Sequence, residues 1–95
     1  MKHTQRIYEL DYTEVFLEDI ETHKKNGKKS ILEKIDILLS ELRNHPTIGT
    51  GKPERLKGTL KGKWSRRITG KHRLIYQIDG KTITVLLLSA YGHYI

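Results

Sequence analysis

Residues 64–88 read WSRRITGKHRLIYQIDGKTITVLLL, and this stretch decides the fold. Apolar and polar side chains alternate through it in three runs, which predicts β-strands at 64–68, 72–78 and 81–88. The connections between the runs are only two or three residues long, a length that joins antiparallel neighbours. The sequence therefore predicts a small antiparallel sheet in this half of the chain.

The Asp79-Gly80 pair predicts a two-residue hairpin turn of the primed type. Pairing Ile78 with Lys81 across this turn separates the side chains onto two faces. One face is apolar and belongs to the core: Leu74, Tyr76, Ile83 and Val85. The other is half polar and can meet solvent: Arg73, Ile75, Gln77, Thr82 and Thr84.

The three-residue turn before His72 sets a second register, in which Ile68 pairs with His72. This register places Arg67 directly opposite Arg73 on the half-polar face. Like charges at opposed positions destabilise a sheet, so an anion is expected between them. Arg66 falls on the other face, and we expect it to reach the sheet edge.

The first half of the chain predicts one short strand followed by two helices. The strand spans 5–10, and the first helix opens at Asp11, which has capping-box spacing to Glu14. A stripe of helical period marks its buried face: Tyr12, Val15, Phe16 and Ile20. Asn26-Gly27 ends this helix.

The second helix has the stronger amphipathic pattern. Ser30 and Glu33 have capping-box spacing near its start, although it can begin a few residues earlier, and the segment 44–46 ends it. Its apolar residues fall on one face: Ile31, Leu32, Ile35, Leu38, Leu39 and Leu42. The sequence thus predicts a single α+β domain over 1–95, a small antiparallel sheet packed against two N-terminal helices.

Composition excludes several classes of protein. Of 95 residues, 36% are hydrophobic, and no window of about 18 apolar residues exists that could span a membrane. There is no cysteine for disulfides or zinc–thiolate sites, and the five histidines show no H-x-x-x-H pair, so no metal site is expected. The first residues lack the apolar stretch of a secretory signal, which favours the cytoplasm.

Positive charge is concentrated in one region. The net charge of the chain is +7, yet residues 49–73 hold nine basic residues and one acid, Glu54, so that this region alone carries +8. A regional excess of this kind is typical of a surface that binds a polyanion such as nucleic acid. A solvated basic face without a partner is the alternative.

Metal-free RNA cleavage needs a general base for the 2′-hydroxyl, a general acid for the leaving 5′-oxygen, and cations for the phosphorane. The sequence offers Glu54 in its basic half, Arg67 and Arg73 on one sheet face, and His93 near the carboxyl terminus. From composition alone, a surface ion pair and an idle terminal histidine explain the same residues.

Several blocks of the second half resemble a known family. They are GKPERLK at 51–57, WSRRIT at 64–69, HRLIY at 72–76 and GHY at 92–94, with Leu60 between the first two. In these blocks the chain resembles the YoeB/Txe branch of the RelE superfamily, bacterial toxins of type II toxin–antitoxin systems. The resemblance covers about half of the chain, and the first half matches only in its strand-helix-helix layout.

The resemblance implies a RelE/YoeB-like fold, related to microbial RNases, and a ribosome-dependent endoribonuclease. Such enzymes cut mRNA in the A site of the 30S subunit and use no metal or cofactor. Glu54 matches the general base, His93 the general acid and Arg73 the arginine that stabilises the transition state. Residues expected to hold the substrate are Arg67, Tyr94, Lys52, Lys57 and Arg66.

The resemblance also implies partners. A YefM/Axe-like antitoxin is expected to wrap the toxin and mask its site, and members of the family can form homodimers. Three positions near the carboxyl terminus depart from the YoeB pattern: Tyr91 replaces an arginine, Gly92 replaces a tyrosine, and Ile95 follows the usual final aromatic. These departures change the local RNA contacts and leave His93 in place.

Two other functions fit part of the sequence. A ParE-like gyrase poison shares the fold of the superfamily but lacks the acid–base pair that Glu54 and His93 supply. A non-catalytic nucleic-acid-binding module explains the charge and gives His93 no role.

Overall fold

The computed structural model describes residues 8–89. In this part of the chain two helices and five strands follow one another: β1 (Glu9–Tyr12), α1 (Glu14–Lys25), α2 (Lys29–Leu42), β2 (Glu54–Arg55), β3 (Trp64–Arg67), β4 (Arg73–Asp79) and β5 (Thr82–Ser89). A short 3₁₀ helix, Gly58–Leu60, lies between β2 and β3. The strands form one sheet in the order β1-β5-β4-β3-β2.

The pairing of the strands confirms the α+β architecture and adds one parallel pair to it. The strands β3 to β5 pair antiparallel, as predicted, and the short strand β2 joins them antiparallel to β3, whereas β1 runs parallel to β5. Parallel neighbours need a long crossover connection. Here the connection includes both helices and the other three strands, so β1 forms one edge of the sheet and β2 the other.

The first helix begins later than predicted, because Asp11 does not cap it. Asp11 belongs to β1 and is paired with Thr84, and the Thr13 N–H still donates to the Val85 carbonyl at 3.1 Å. The Thr13 hydroxyl oxygen then accepts a hydrogen bond from the Phe16 N–H at 3.1 Å and is the true N-cap. Pairing with β5 therefore overrides the local capping box.

The second helix begins one residue before Ser30, and Ser30 does not cap it. Lys28 is the N-cap, and no side chain bonds to the free N–H groups of the first turn. Gly27 has a positive φ of 67°, and the Lys28 N–H donates to the His23 carbonyl at 3.0 Å. This tight turn, predicted as the end of α1, fixes where α2 starts.

The core lies between the helices and one face of the sheet. The predicted strand positions Leu74, Tyr76, Ile83 and Val85 are completely buried, and the helices contribute Phe16, Ile35, Leu38 and Leu42 to the same cluster. The stripe of α2 is thus confirmed as core at these positions, whereas in the stripe predicted for α1 Phe16 is buried but Tyr12 and Val15 are exposed. Within residues 8–89, neither helix is long and apolar enough to cross a bilayer.

The hairpin between β4 and β5 has a different register from the predicted one. Asp79 pairs with Thr82, so Gly80 and Lys81 form the turn and Ile78 does not face Lys81. Gly80 has a φ of +60°, and glycine at the first position of a two-residue loop is typical of a type II′ turn. Near the turn the register differs by two residues, an even number, which keeps the side chains there on their predicted faces. Farther from the turn, an irregularity between Ile75 and Tyr76 shifts the pairing once more.

The hairpin between β3 and β4 has the predicted register. The Ile68 N–H donates to the His72 carbonyl at 2.8 Å, and Arg67 lies opposite Arg73. On the turn side, the His72 ring meets the His23 ring of α1 edge-on, with 5.4 Å between their centroids. Desolvation, with the charges of His23, Lys28 and Lys71, lowers the pKa of His72.

Gly51 brings the loop before β2 against β3. Its φ is +84°, and its carbonyl accepts the Arg67 N–H at 2.7 Å. A Cβ at this position would lie only 2.7 Å from the Arg67 carbonyl oxygen. Only glycine therefore allows the loop to approach the strand this closely.

We expect Gly51→Ala to destabilise the protein more than a matched control. Gly62 has a similar φ of +90° and no atom within 4 Å of the position of its Cβ. Gly62→Ala should cost the strain of the left-handed backbone alone, about 1–2 kcal/mol. Gly51→Ala should cost a further ~1–3 kcal/mol from overpacking. If Gly51→Ala and Gly62→Ala lose equal amounts of unfolding free energy in urea, the close approach of Gly51 to Arg67 does not contribute to the loss.

We expect His72 to make stability depend on pH. Its pKa is lower in the folded state than in the unfolded chain, where it is near 6.5. Protonation thus favours unfolding, so its contribution is complete above about pH 6.5 and declines as the pH falls from there. His72→Gln should unfold with a flatter pH dependence than wild type in this window. Identical slopes for wild type and His72→Gln would contradict this account.

Candidate active site

A cleft of about 240 Å³ opens on the half-polar face of the sheet. Its walls are the loop before β2, the start of β2, and the facing ends of β3 and β4. One carboxylate and three cationic side chains line it, with glycine and proline: Glu54, Lys52, Arg67, Arg73, Gly51 and Pro53. Within residues 8–89, no three acidic or histidine side chains are arranged to hold a metal ion.

Glu54 and Arg73 form an ion pair at the centre of the cleft. Nη1 of Arg73 donates to Oε1 of Glu54 at 2.9 Å and lies 3.4 Å from the Ser65 hydroxyl. The pairing of the strands brings the two side chains together, because β3 pairs with β2 on one side, where Ser65 faces Glu54, and with β4 on the other, where Arg67 faces Arg73. The side chain of Glu54 is 56% exposed and that of Arg73 28%. Such an exposed pair stabilises the fold little, but a ligand can reach both groups.

Two further cations lie beside this pair. Arg67 is exposed and stands directly across from Arg73 in the sheet, as predicted. Lys52 is also exposed and has a φ of +49°, which is unusual for a residue with a side chain. The cleft thus combines one carboxylate that can accept a proton with cations that can neutralise a phosphate.

Lys57 lies at the start of the short 3₁₀ helix. It is exposed, and it is not one of the residues that line the cleft in the described part of the chain. Of the two lysines of this motif, Lys52 therefore lines the cleft and Lys57 does not.

Arg66 does not lie in the cleft. Its side chain is completely buried on the helix-facing side of β3, where it pairs with Glu41 at 2.8 Å. A guanidinium without exposed surface has no room for a phosphate. We therefore remove Arg66 from the residues expected to bind substrate. It lies on the predicted face but does not reach the sheet edge.

His93 and Tyr94 lie outside the described residues, so their roles remain predictions. The described chain ends close to the cleft, because Ser89 at the end of β5 is paired with Arg73. Three residues lie between Ser89 and His93 in the sequence.

Sequence reasoning missed the group of residues that holds the loop of the cleft. Glu41 accepts hydrogen bonds from the Thr50 N–H at 2.8 Å and the Thr50 hydroxyl at 2.5 Å, besides its ion pair with Arg66. The Thr50 hydroxyl is the main cause that lowers the pKa of Glu41, with help from Arg66 and against desolvation. The signal was present, since an arginine alternating with Trp64 and Ile68 on a core face requires a buried acceptor.

Known proteins resemble this chain in sequence and in structure. The model of the family described as YoeB-like toxin of bacterial type II toxin-antitoxin system matches residues 12–94. A relative named Toxin YoeB, from Synechocystis sp., is 39% identical over 85 residues, which cover 90% of this chain and 95% of the relative.

Solved structures show the same similarity. The YoeB/ParE toxin from Agrobacterium tumefaciens superposes with a TM-score of 0.79 at 35% identity, covering 90% of this chain and 99% of that one. The YoeB–YefM complex from Staphylococcus aureus gives 0.76 at 34% identity, covering 90% and 98%. A YoeB dimer from the same organism gives 0.75 at 36% identity, covering 92% and 98%. The chain belongs to the family of YoeB-like toxins of bacterial type II toxin–antitoxin systems.

Proposed function

We propose that this toxin is a ribosome-dependent endoribonuclease that cuts mRNA in the A site and so inhibits translation. The observation that carries the proposal is the contact between Glu54 and Arg73 in a cleft that Arg67 also lines. A base and two phosphate-binding cations are what attack by a 2′-hydroxyl on the adjacent phosphate requires.

Glu54 is the general base of the proposed reaction. Its carboxylate takes the proton of the 2′-hydroxyl, whose oxygen attacks phosphorus and forms a 2′,3′-cyclic phosphate. A guanidinium has five N–H donors, so Arg73 can hold a phosphate oxygen while Nη1 keeps Glu54 in place. The 2.9 Å contact supports this pairing of roles.

Arg67 and Arg73 together stabilise the negative charge of the phosphorane. Two opposed cations repel each other in the free sheet. An anion between them removes this repulsion, and the benefit grows as the reacting phosphate gains charge. Lys52 in the cleft supports binding of the same strand, and we assign Lys57 and Tyr94 to RNA contacts beyond the reacting phosphate.

His93 is the general acid. The bond between phosphorus and the 5′-oxygen breaks as the imidazolium of His93 gives this oxygen its proton. The pairing of Ser89 with Arg73 supports the role, because the described chain ends beside the cleft only four positions before His93. The scheme uses no metal and no cofactor.

We also propose the partners of the toxin. The complex of the Staphylococcus aureus relative supports a YefM/Axe-like antitoxin, and the dimer of that relative supports a homodimer. The positive charge of residues 49–73, apart from the buried Arg66, supports binding of mRNA and the ribosome, since both are polyanions. The proposed reaction takes place in the cytoplasm, where ribosomes translate mRNA.

Purified ribosomes that hold a defined mRNA test the proposal. Cleavage confined to the A-site codon supports it. Binding without cleavage supports a nucleic-acid-binding module instead, and DNA breaks in a parallel assay with gyrase support a ParE-like poison.

We expect Arg73→Lys to cleave on the order of a hundredfold more slowly than wild type, because lysine is a point charge and lacks the planar fork with which arginine holds two phosphate oxygens at once. Binding to ribosomes should fall much less. Arg43→Lys is a matched control, since this exposed arginine does not line the cleft. Cleavage by Arg73→Lys at the wild-type rate would reduce Arg73 to a general electrostatic role.

We expect His93→Gln to lose about 10² to 10⁴ in rate, the usual contribution of a general acid. The sharper test replaces the leaving 5′-oxygen with sulfur, which departs without a proton. On this substrate His93→Gln should recover most of its rate, and Glu54→Gln should not. If both variants stay equally slow, His93 is not the acid.

A further inference from the structure

We infer that Arg66 and Glu41, which lie behind the cleft, are positioning residues that hold Glu54 against Arg73. The inference rests on the proposed ribonuclease function for its catalytic consequence. The contacts that carry it are those of the buried guanidinium, those of the Glu41 carboxylate, and the short path from both to Glu54.

The guanidinium of Arg66 uses all its donors inside the protein. Nε donates to the Tyr76 hydroxyl at 3.4 Å, and Nη1 donates to Oε1 of Glu41 at 2.8 Å and to the Thr50 carbonyl at 3.2 Å. Nη2 donates to the Ile48 carbonyl at 2.8 Å and to the His45 carbonyl. Five N–H groups thus meet five acceptors, which is the full capacity of an arginine.

Three of these acceptors are backbone carbonyls of one loop, 45–50. The described structure has no helix or strand between Leu42 and Glu54, so the regular backbone hydrogen bonds of a helix or sheet do not hold this loop. Hydrogen bonds from the Arg66 side chain hold it instead. Tyr76 adds a further bond, because its hydroxyl donates to the Pro46 carbonyl at 2.5 Å.

Glu41 fastens the end of the loop that leads to the cleft. Its two carboxylate oxygens accept from the N–H and the hydroxyl of Thr50, at 2.8 and 2.5 Å. The next residue, Gly51, is bonded to Arg67 at 2.7 Å. Glu54 follows three residues later, so the position of its carboxylate depends on where this short segment is anchored.

The different roles of Arg66 and Arg67 follow from the geometry of β3. Neighbouring residues of a strand point to opposite faces. Arg66 therefore holds the loop from the inside, while Arg67 faces the cleft from the outside. One short strand fixes both the base-bearing loop and a phosphate-binding cation.

The test uses variants of Thr50 and Glu41, the two residues that join the loop to α2, and leaves Arg66 itself unchanged. Thr50→Val keeps the shape and removes the hydroxyl, whereas Thr50→Ser keeps the hydroxyl and is the rescue variant. Glu41→Gln removes the charge. Glu21→Gln is its control, because Glu21 forms an exposed ion pair with Lys24 on α1 at 3.5 Å.

We expect Thr50→Val and Glu41→Gln to lower kcat for cleavage of ribosome-bound mRNA by on the order of tenfold to a hundredfold, with little change in KM. Hydrogen exchange at the N–H groups of Thr50 and Arg67 should speed up, and exchange in β4 and β5 should not. Thr50→Ser and Glu21→Gln should match wild type. If kcat stays at the wild-type value in Thr50→Val and Glu41→Gln, the inference is wrong.

The inference and the proposed function can fail separately. If wild type cleaves no ribosome-bound mRNA, the proposed function is wrong. The positions of the side chains are then judged by the guanidinium NMR signals of Arg73, which its contact with Glu54 determines. These signals should shift in Glu41→Gln and stay in place in Glu21→Gln, and unchanged signals in Glu41→Gln would overturn the inference.

Discussion

The guanidinium of Arg66 lies under the loop that builds the cleft and bonds to three of its carbonyls. Burying a charge is costly unless it is paired and all its donors are used, and Arg66 meets both conditions through Glu41, Tyr76 and the loop. Because the acceptors are mostly backbone groups, the interaction fixes the path of the chain rather than the identity of its side chains. The rest of the cleft is placed relative to this loop.

On the opposite side of β3, which faces the cleft, the charged side chains are exposed rather than buried. Arg67, Arg73 and Glu54 remain reachable from solvent, and their mutual arrangement adds little to stability. Like charges face each other there, which a structural role alone would not favour. A buried group whose hydrogen bonds are all made thus supports an exposed set of charges that suits the RNA phosphate of the proposed reaction.

Sequence patterns predicted the sheet faces, both helices and the opposition of Arg67 and Arg73, because strand alternation and helical period are local properties. The partner of Arg66 was beyond such reasoning, since Glu41 is 25 residues away and belongs to a helix. The capping predictions at Asp11 and Ser30 were wrong because strand pairing and a tight turn outweighed local spacing. The meeting of Glu54 with Arg73 depends on the two-residue strand β2, which is too short to be read from periodicity.

The central claim is that this cleft directs a 2′-hydroxyl against the neighbouring phosphate. The most direct measurement uses ribosome-bound mRNA with a single 2′-deoxy nucleotide immediately 5′ of the scissile phosphate, and the same substitution at a distant codon as the control. The account predicts that cleavage at this bond disappears, that the toxin still binds the ribosome, and that the control mRNA is cut normally. Cleavage of the 2′-deoxy substrate at the normal rate would mean that another nucleophile attacks, and would contradict the account.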